Sequence, residues 1–144
     1  MSFLLDTNVL SDLRKPRPNA ALVQWFADQD ADGLFLSVIT TGEIRQGIER
    51  LRHRDAHRAT TLDQWLSDLL RLYGDRILGV DQTIANQWGR FRAVRSLPVL
   101  AALVAATAHV HGLTIVSRTE KDFAGLDLTV LNPSRRIPSG PWRK

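Results

Sequence analysis

Phe3-Leu4-Leu5-Asp6 constrains the fold of this chain more than any other stretch. Three apolar residues in a row, cut off by an acid, read as a short buried strand. Thr7 and Asn8 follow, and Val9 and Leu10 begin a helix. A carboxylate at the carboxyl end of a buried first strand is where open α/β folds keep their chemistry. The remaining question is whether the chain returns other acids to that point.

The same alternation recurs throughout. A short helix from Thr7 to Arg14 is ended by Lys15-Pro16-Arg17-Pro18. Asn19 caps a second helix reaching about Gln29, with Leu22, Val23, Trp25 and Phe26 on its apolar side. Asp30 to Gly33 is a turn, and Leu34 to Ser37 the second strand. A helix from Thr40 to Arg52 buries Ile44, Ile48 and Leu51. The next, from Asp55 to Tyr73, carries Leu62, Trp65, Leu66, Leu69, Leu70 and Tyr73 on one face and closes at Gly74. Ile77 to Val80 is the third strand, followed by a helix capped by Asp81. Pro98 opens an apolar helix that ends at Gly112 and is expected to be buried on most sides. Leu113 to Ser117 and Leu128 to Leu131 are the last two strands, joined by a loop with one helical turn.

Strands alternating with helices argue a three-layer α/β/α fold with a parallel five-stranded sheet. Right-handed crossovers and the order 3-2-1-4-5 place strands one and four side by side at the centre. No repeat or linker divides the chain. Residues 1–131 form one domain, and 132–144 are its Pro/Arg-rich tail, expected to run over the surface.

Composition narrows the function classes. Without cysteine, disulfides and thiolate metal sites are excluded, which suits a reducing cytoplasm, the expected location. Asp6 interrupts the first apolar run and no basic lead precedes it, so no signal peptide is expected. The longest apolar run, Leu97 to Ala106, is half of what a bilayer crossing needs, so no membrane partner is expected. The net charge is +4, and lysine occurs only at Lys15, Lys121 and Lys144, so arginine carries nearly all of the positive charge. Arginine suits phosphate contact, although a GC-rich genome would give the same bias.

The chain brings two further acids, Glu43 and Asp122, towards the crevice opened by strands one and four. Asp6 follows strand one and Asp122 follows strand four, while Glu43 sits on the flank of the helix after strand two. Clustered carboxylates repel one another unless a cation joins them. With no His or Cys beside them, the hard oxygen donors suit Mg²⁺ or Mn²⁺. On a basic protein, metal-assisted hydrolysis of a phosphodiester is the obvious reaction. Each acid also has a plainer role open to it. Asp6 could cap the Thr7 helix, Glu43 could be a flank residue, and Asp122 a turn acid. Thr7 and Asn8 could position a ligand or satisfy the helix N-terminus. No histidine constellation, phosphate loop or Ser/His/Asp order stands beside them.

The text around these acids resembles the PIN-domain ribonuclease toxins of the VapC and FitB type. The resemblance rests on Leu4-Leu5-Asp6-Thr7-Asn8-Val9-Leu10-Ser11, Thr41-Gly42-Glu43-Ile44, Leu103-Val104-Ala105-Ala106-Thr107-Ala108, His111-Gly112-Leu113-Thr114 and Lys121-Asp122-Phe123. It runs in order to Leu131-Asn132-Pro133 and covers essentially the whole chain. It implies a Mg²⁺- or Mn²⁺-dependent endoribonuclease with four acids around the metal. Asp6 and Asp122 match as metal ligands and Glu43 as the residue that orients or deprotonates water. Where the family has its remaining acid, in the first turn of the apolar helix, this chain has Ala101. Thr119 stands where the family often has Asn.

Losing a metal ligand costs at least the roughly 10–100-fold typical of outer-shell changes, so the chain is expected to be weakly active or inactive. The intact motifs around Ala101 favour a deliberate Asp-to-Ala change, made to tolerate expression of a toxin, over natural degeneration. The resemblance also implies a cognate antitoxin whose tail occupies the site, a homodimer, and a toxin–antitoxin hetero-oligomer held on operator DNA through the antitoxin. The helices from Thr40 and Asp55 would form the clip that meets the antitoxin or a second subunit. Arg14, Arg45 and Arg118 are the expected contacts to the RNA backbone. The alternative is a non-catalytic RNA- or protein-binding module with a degenerate site.

Overall fold

The computed structural model describes residues 1–135. Five parallel strands form one sheet in the order β3-β2-β1-β4-β5: β1 (Phe3–Leu5), β2 (Leu34–Ser37), β3 (Ile77–Leu78), β4 (Thr114–Val116) and β5 (Val130–Leu131). The helices are α1 (Thr7–Arg14), α2 (Ala20–Ala27), α3 (Val38–Arg52), α4 (Ala56–Tyr73), α5 (Gln82–Val94) and α6 (Val99–His111).

β1 explains why an apolar run begins the chain. Phe3 and Leu5 enter the core formed with α1 to α4, while Leu4 enters the core formed with α5 and α6. Leu4 and Leu5 are both fully buried, as the central strand of a sheet covered on both faces requires. On the first side Leu5, Leu36 and Val116 meet Ile48, Leu66 and Leu69, and on the second Leu4 and Ile115 meet Ile84, Phe91 and Val104.

The caps expected from sequence are present at Asn19, Asp55 and Asp81, each accepting a backbone amide of its helix's first turn. Gly112, in the left-handed region at φ 66°, closes α6. Boundaries moved where a neighbour took over. α3 begins at Val38 rather than Thr40, because the Ser37 hydroxyl accepts the Ile39 amide at 3.0 Å and strand passes directly into helix. The strands β3 and β5 lie at the sheet edges and are only two residues long. Val23 turns outward from α2, 40% exposed, leaving Leu22 to fill the core. α6 is buried at Ala102 and from Val104 to Ala108, but its first turn exposes Val99 and Leu100 by 48% and 41%. The tail beyond Arg135 lies outside the described residues. Among those described, no helix is long and apolar enough to cross a membrane.

Candidate active site

Asp6 stands where β1 becomes α1. Its amide donates to the Val116 carbonyl at 2.9 Å, extending the pairing of β1 with β4 by one bond. Leu5 lies opposite Val116, so the register brings Asp6 to Ser117. One carboxylate oxygen accepts the Thr7 amide at 2.9 Å, so Asp6 does cap α1. The other accepts the Ser117 hydroxyl at 2.8 Å. Burial pushes the Asp6 carboxyl above the usual carboxylate value, the bonds from Ser117 and Thr7 oppose that, and the Asp122 charge adds to it.

Glu43 arrives from α3. Its Oε1 accepts the Thr7 hydroxyl at 2.7 Å, tying the third helix to the start of the first. Thr7 thus serves both carboxylates, its amide on Asp6 and its hydroxyl on Glu43. Asn8 braces the loop after β4. Its Oδ1 accepts the Arg118 amide at 3.2 Å, and its Nδ2 lies 3.4 Å from the hydroxyls of Ser117 and Thr119. The Ser117 hydroxyl, fully buried, also accepts the Thr119 amide at 3.1 Å.

Asp122 sits in a 3-10 turn, Glu120–Phe123, anchored by the buried Phe123. Its amide donates to the Thr119 carbonyl at 3.0 Å. Arg95, at the C-terminal cap of α5, clamps the turn from outside. Its guanidinium donates to the carbonyls of Asp122 at 2.7 Å and Ala124 at 2.9 Å. Asp6, Glu43 and Asp122 line one cleft of about 450 Å³ together with Thr7, Asn8 and Thr119. Leu100, Ala101 and Val104 of α6 supply its apolar wall, so the place of Ala101 carries a methyl and no donor. Among the described residues no three acidic, His or Cys side chains stand close enough to enclose an ion on their own.

The three arginines part company. Arg14 lies over the Trp65 ring, 5.8 Å from its centroid, in a groove that adjoins the cleft. Burial, then the charge of Arg58, lowers its pKa. Arg45 does not line the cleft. It pairs with Glu49 at 3.1 Å and Asp63 at 3.0 Å, and so joins α3 to α4. Arg118 does not line the cleft either: its amide donates to Asn8, while its guanidinium lies 3.6 Å from the buried Asp12. Two contributors, Ser117 and Arg95, escaped the sequence reading. Ser117 was readable only from register, as the residue that faces Asp6 once Leu5 is set against Val116. Nothing in the local text around Arg95 points to a loop 27 residues away.

A parallel sheet in this order, with Asp6, Glu43 and Asp122 lining one cleft at its switch point, defines an α/β/α domain. The PIN-domain family model matches residues 3–127, and the chain belongs to that family, in its VapC/FitB toxin–antitoxin group. It is 32% identical over 136 residues to Toxin FitB of Neisseria gonorrhoeae, covering 90% of this chain and 96% of that one. It is 29% identical to VapC ribonuclease Y4jK of Sinorhizobium fredii, with the same two coverages, 90% and 96%. The solved FitAB complex bound to an IR36 DNA fragment superposes with a TM-score of 0.86 at 28% identity, covering 96% of this chain and 99% of that one.

Proposed function

We propose that this chain is the toxin of a type II toxin–antitoxin pair, built as a divalent-metal-dependent endoribonuclease and weakened by Ala101. The observation that carries the reading is the convergence of Asp6, Asp122 and Glu43 on one cleft. A relative named as a VapC ribonuclease supports the reaction class, and the FitAB complex on DNA supports an antitoxin partner and assembly on operator DNA.

The donors fit a hard cation. Asp6 is half-buried in the cleft that Asp122 also lines, and both offer the hard carboxylate oxygens such an ion takes. Asp6 and Asp122 would hold Mg²⁺ or Mn²⁺, each through oxygen, with waters completing the shell. When bound, the ion supplies charge neutralisation on the phosphate and acidifies its water. The chain's own residues do the rest. Thr7 fixes one oxygen of Glu43 and leaves the other to take a proton from the attacking water. Ser117 and the Thr7 amide hold Asp6 in one orientation. Asn8 and Thr119 keep the loop that carries Asp122 against the sheet. Homodimers in the cytoplasm complete the proposal.

The test is cleavage of RNA with Mg²⁺ or Mn²⁺ by this chain and by Ala101→Asp. Cleavage that appears or rises at least about tenfold on restoration supports a disabled nuclease. RNA binding without cleavage by either form would favour the alternative, a binding module, to which the apolar wall at Ala101 lends its support.

A further inference from the structure

A second groove leads out of the acid cleft. It measures about 210 Å³ and shares Thr7, Ser11 and Glu43 with the cleft, then runs between α1 and the α3–α4 pair. Its far walls are apolar, formed by Ile44, Leu62 and Trp65, and Arg14 lies over the indole. Among the described residues, neither Arg14 nor Arg58 has a carboxylate partner in an ion pair. Two neighbouring guanidinium groups without acids suit a polyanion, and an indole–guanidinium wall suits a flat ring.

We infer that this groove is a nucleobase subsite. It would take the base next to the phosphate held in the acid cleft, with Arg14 contacting the neighbouring phosphate. The inference rests on the nuclease reading and names its substrate form. A base can enter a side slot only when unstacked, so the bound RNA is single-stranded there. An apolar peptide would explain the walls but not the unpaired arginines.

Gly47 makes the test clean. It lines the groove, and a Cβ added there meets no atom within 4 Å. Gly47→Leu therefore fills the slot without touching Asp6 or Asp122, and leucine is the better helix former, so the variant should melt no lower than the parent. Binding of a fluorescein-labelled short single-stranded RNA, and of its abasic counterpart, is measured by anisotropy for both proteins. Gly47→Leu should weaken binding of the intact RNA about tenfold or more and leave the abasic RNA unchanged. Arg14→Gln should reduce the salt dependence by about 0.7 in the log–log slope.

Equal binding of intact RNA by parent and Gly47→Leu overturns the subsite while leaving the cleft assignment standing. So does a loss that persists with abasic RNA. If Gly47→Leu weakens a protein partner and not RNA, the groove belongs to that protein. If the parent binds neither RNA, the subsite and the nuclease reading fall together.

Discussion

Ser117→Ala tests whether Asp6 is held as a carboxylate by the end of β4. The serine hydroxyl donates to Asp6 at 2.8 Å and accepts the Thr119 amide at 3.1 Å, and the side chain is fully buried. Alanine leaves no appreciable cavity, so the loss is in hydrogen bonds. A bond to a charged group is worth about 1.5–3 kcal/mol, so the variant should lose about 2 kcal/mol near pH 8. For a domain of this size that is roughly 4–8 °C in Tm. The pH dependence discriminates. The Ser117 bond favours the ionised form, and without it the already raised Asp6 carboxyl rises further. A carboxyl raised in the folded state holds its proton more tightly there than in the unfolded chain. Its contribution is complete below the unfolded value of 3.8 and is lost as pH climbs through the folded one. The penalty should therefore shrink towards that of a neutral bond, about 1 kcal/mol, as pH falls from 8 towards 3.8. Urea unfolding at a series of pH values measures it. A penalty that is constant, or that grows in acid, would refute the reasoning.

Asp6→Asn follows from the same sign. It removes the buried charge while keeping an oxygen for the Thr7 amide, so it should stabilise the metal-free protein at neutral pH by about 1 kcal/mol and less in acid. Thermal melts at pH 5 and 8 check it, and destabilisation at pH 8 would count against a desolvated carboxylate. Arg95→Gln withdraws both donors from the Asp122 and Ala124 carbonyls. Amide exchange over 120–125 should then rise about tenfold, as expected for a loss of about 1.4 kcal/mol in local opening, with little change in β1. Unchanged exchange there would show that Phe123 alone holds the turn.

The centre of the fold was legible because its sequence has one physical solution. Three apolar residues followed by an acid fit a central strand, and the alternation of elements with right-handed crossovers leaves few strand orders. The edges were less legible. Val80, Leu113 and Leu128 are apolar enough to read as strand, yet β3 ends before Val80, and β4 and β5 begin only after Leu113 and Leu128. The helix start at Val38 was hidden because Ser37 serves both as the last strand residue and as the cap. For the site, Asp6 and Asp122 could be brought together by topology alone. Arg45 could not be assigned, since its partner Asp63 lies 18 residues on, in the next helix. Ala101 was legible only by resemblance, because alanine in an apolar helix announces nothing.

The consequence of Ala101 can be measured without any substrate. An aspartate there would enter the wall of a cleft that already holds Asp6 and Asp122, where burial and mutual charge push Asp6 up. With no cation, a further carboxylate adds repulsion, so Ala101→Asp should melt below the parent at neutral pH. With Mn²⁺ the order should reverse. A ligand at about 100 times its dissociation constant stabilises by about 2.7 kcal/mol, which for a domain this size is roughly 5–10 °C. If restoration tightens binding about tenfold, the variant gains about 1.4 kcal/mol more than the parent at the same saturating Mn²⁺. Melts with and without Mn²⁺ therefore report whether position 101 belongs to the ion's shell, whatever the activity. A Mn²⁺-induced shift no larger in Ala101→Asp than in the parent would place the ion elsewhere. It would leave the alanine a wall residue and nothing more.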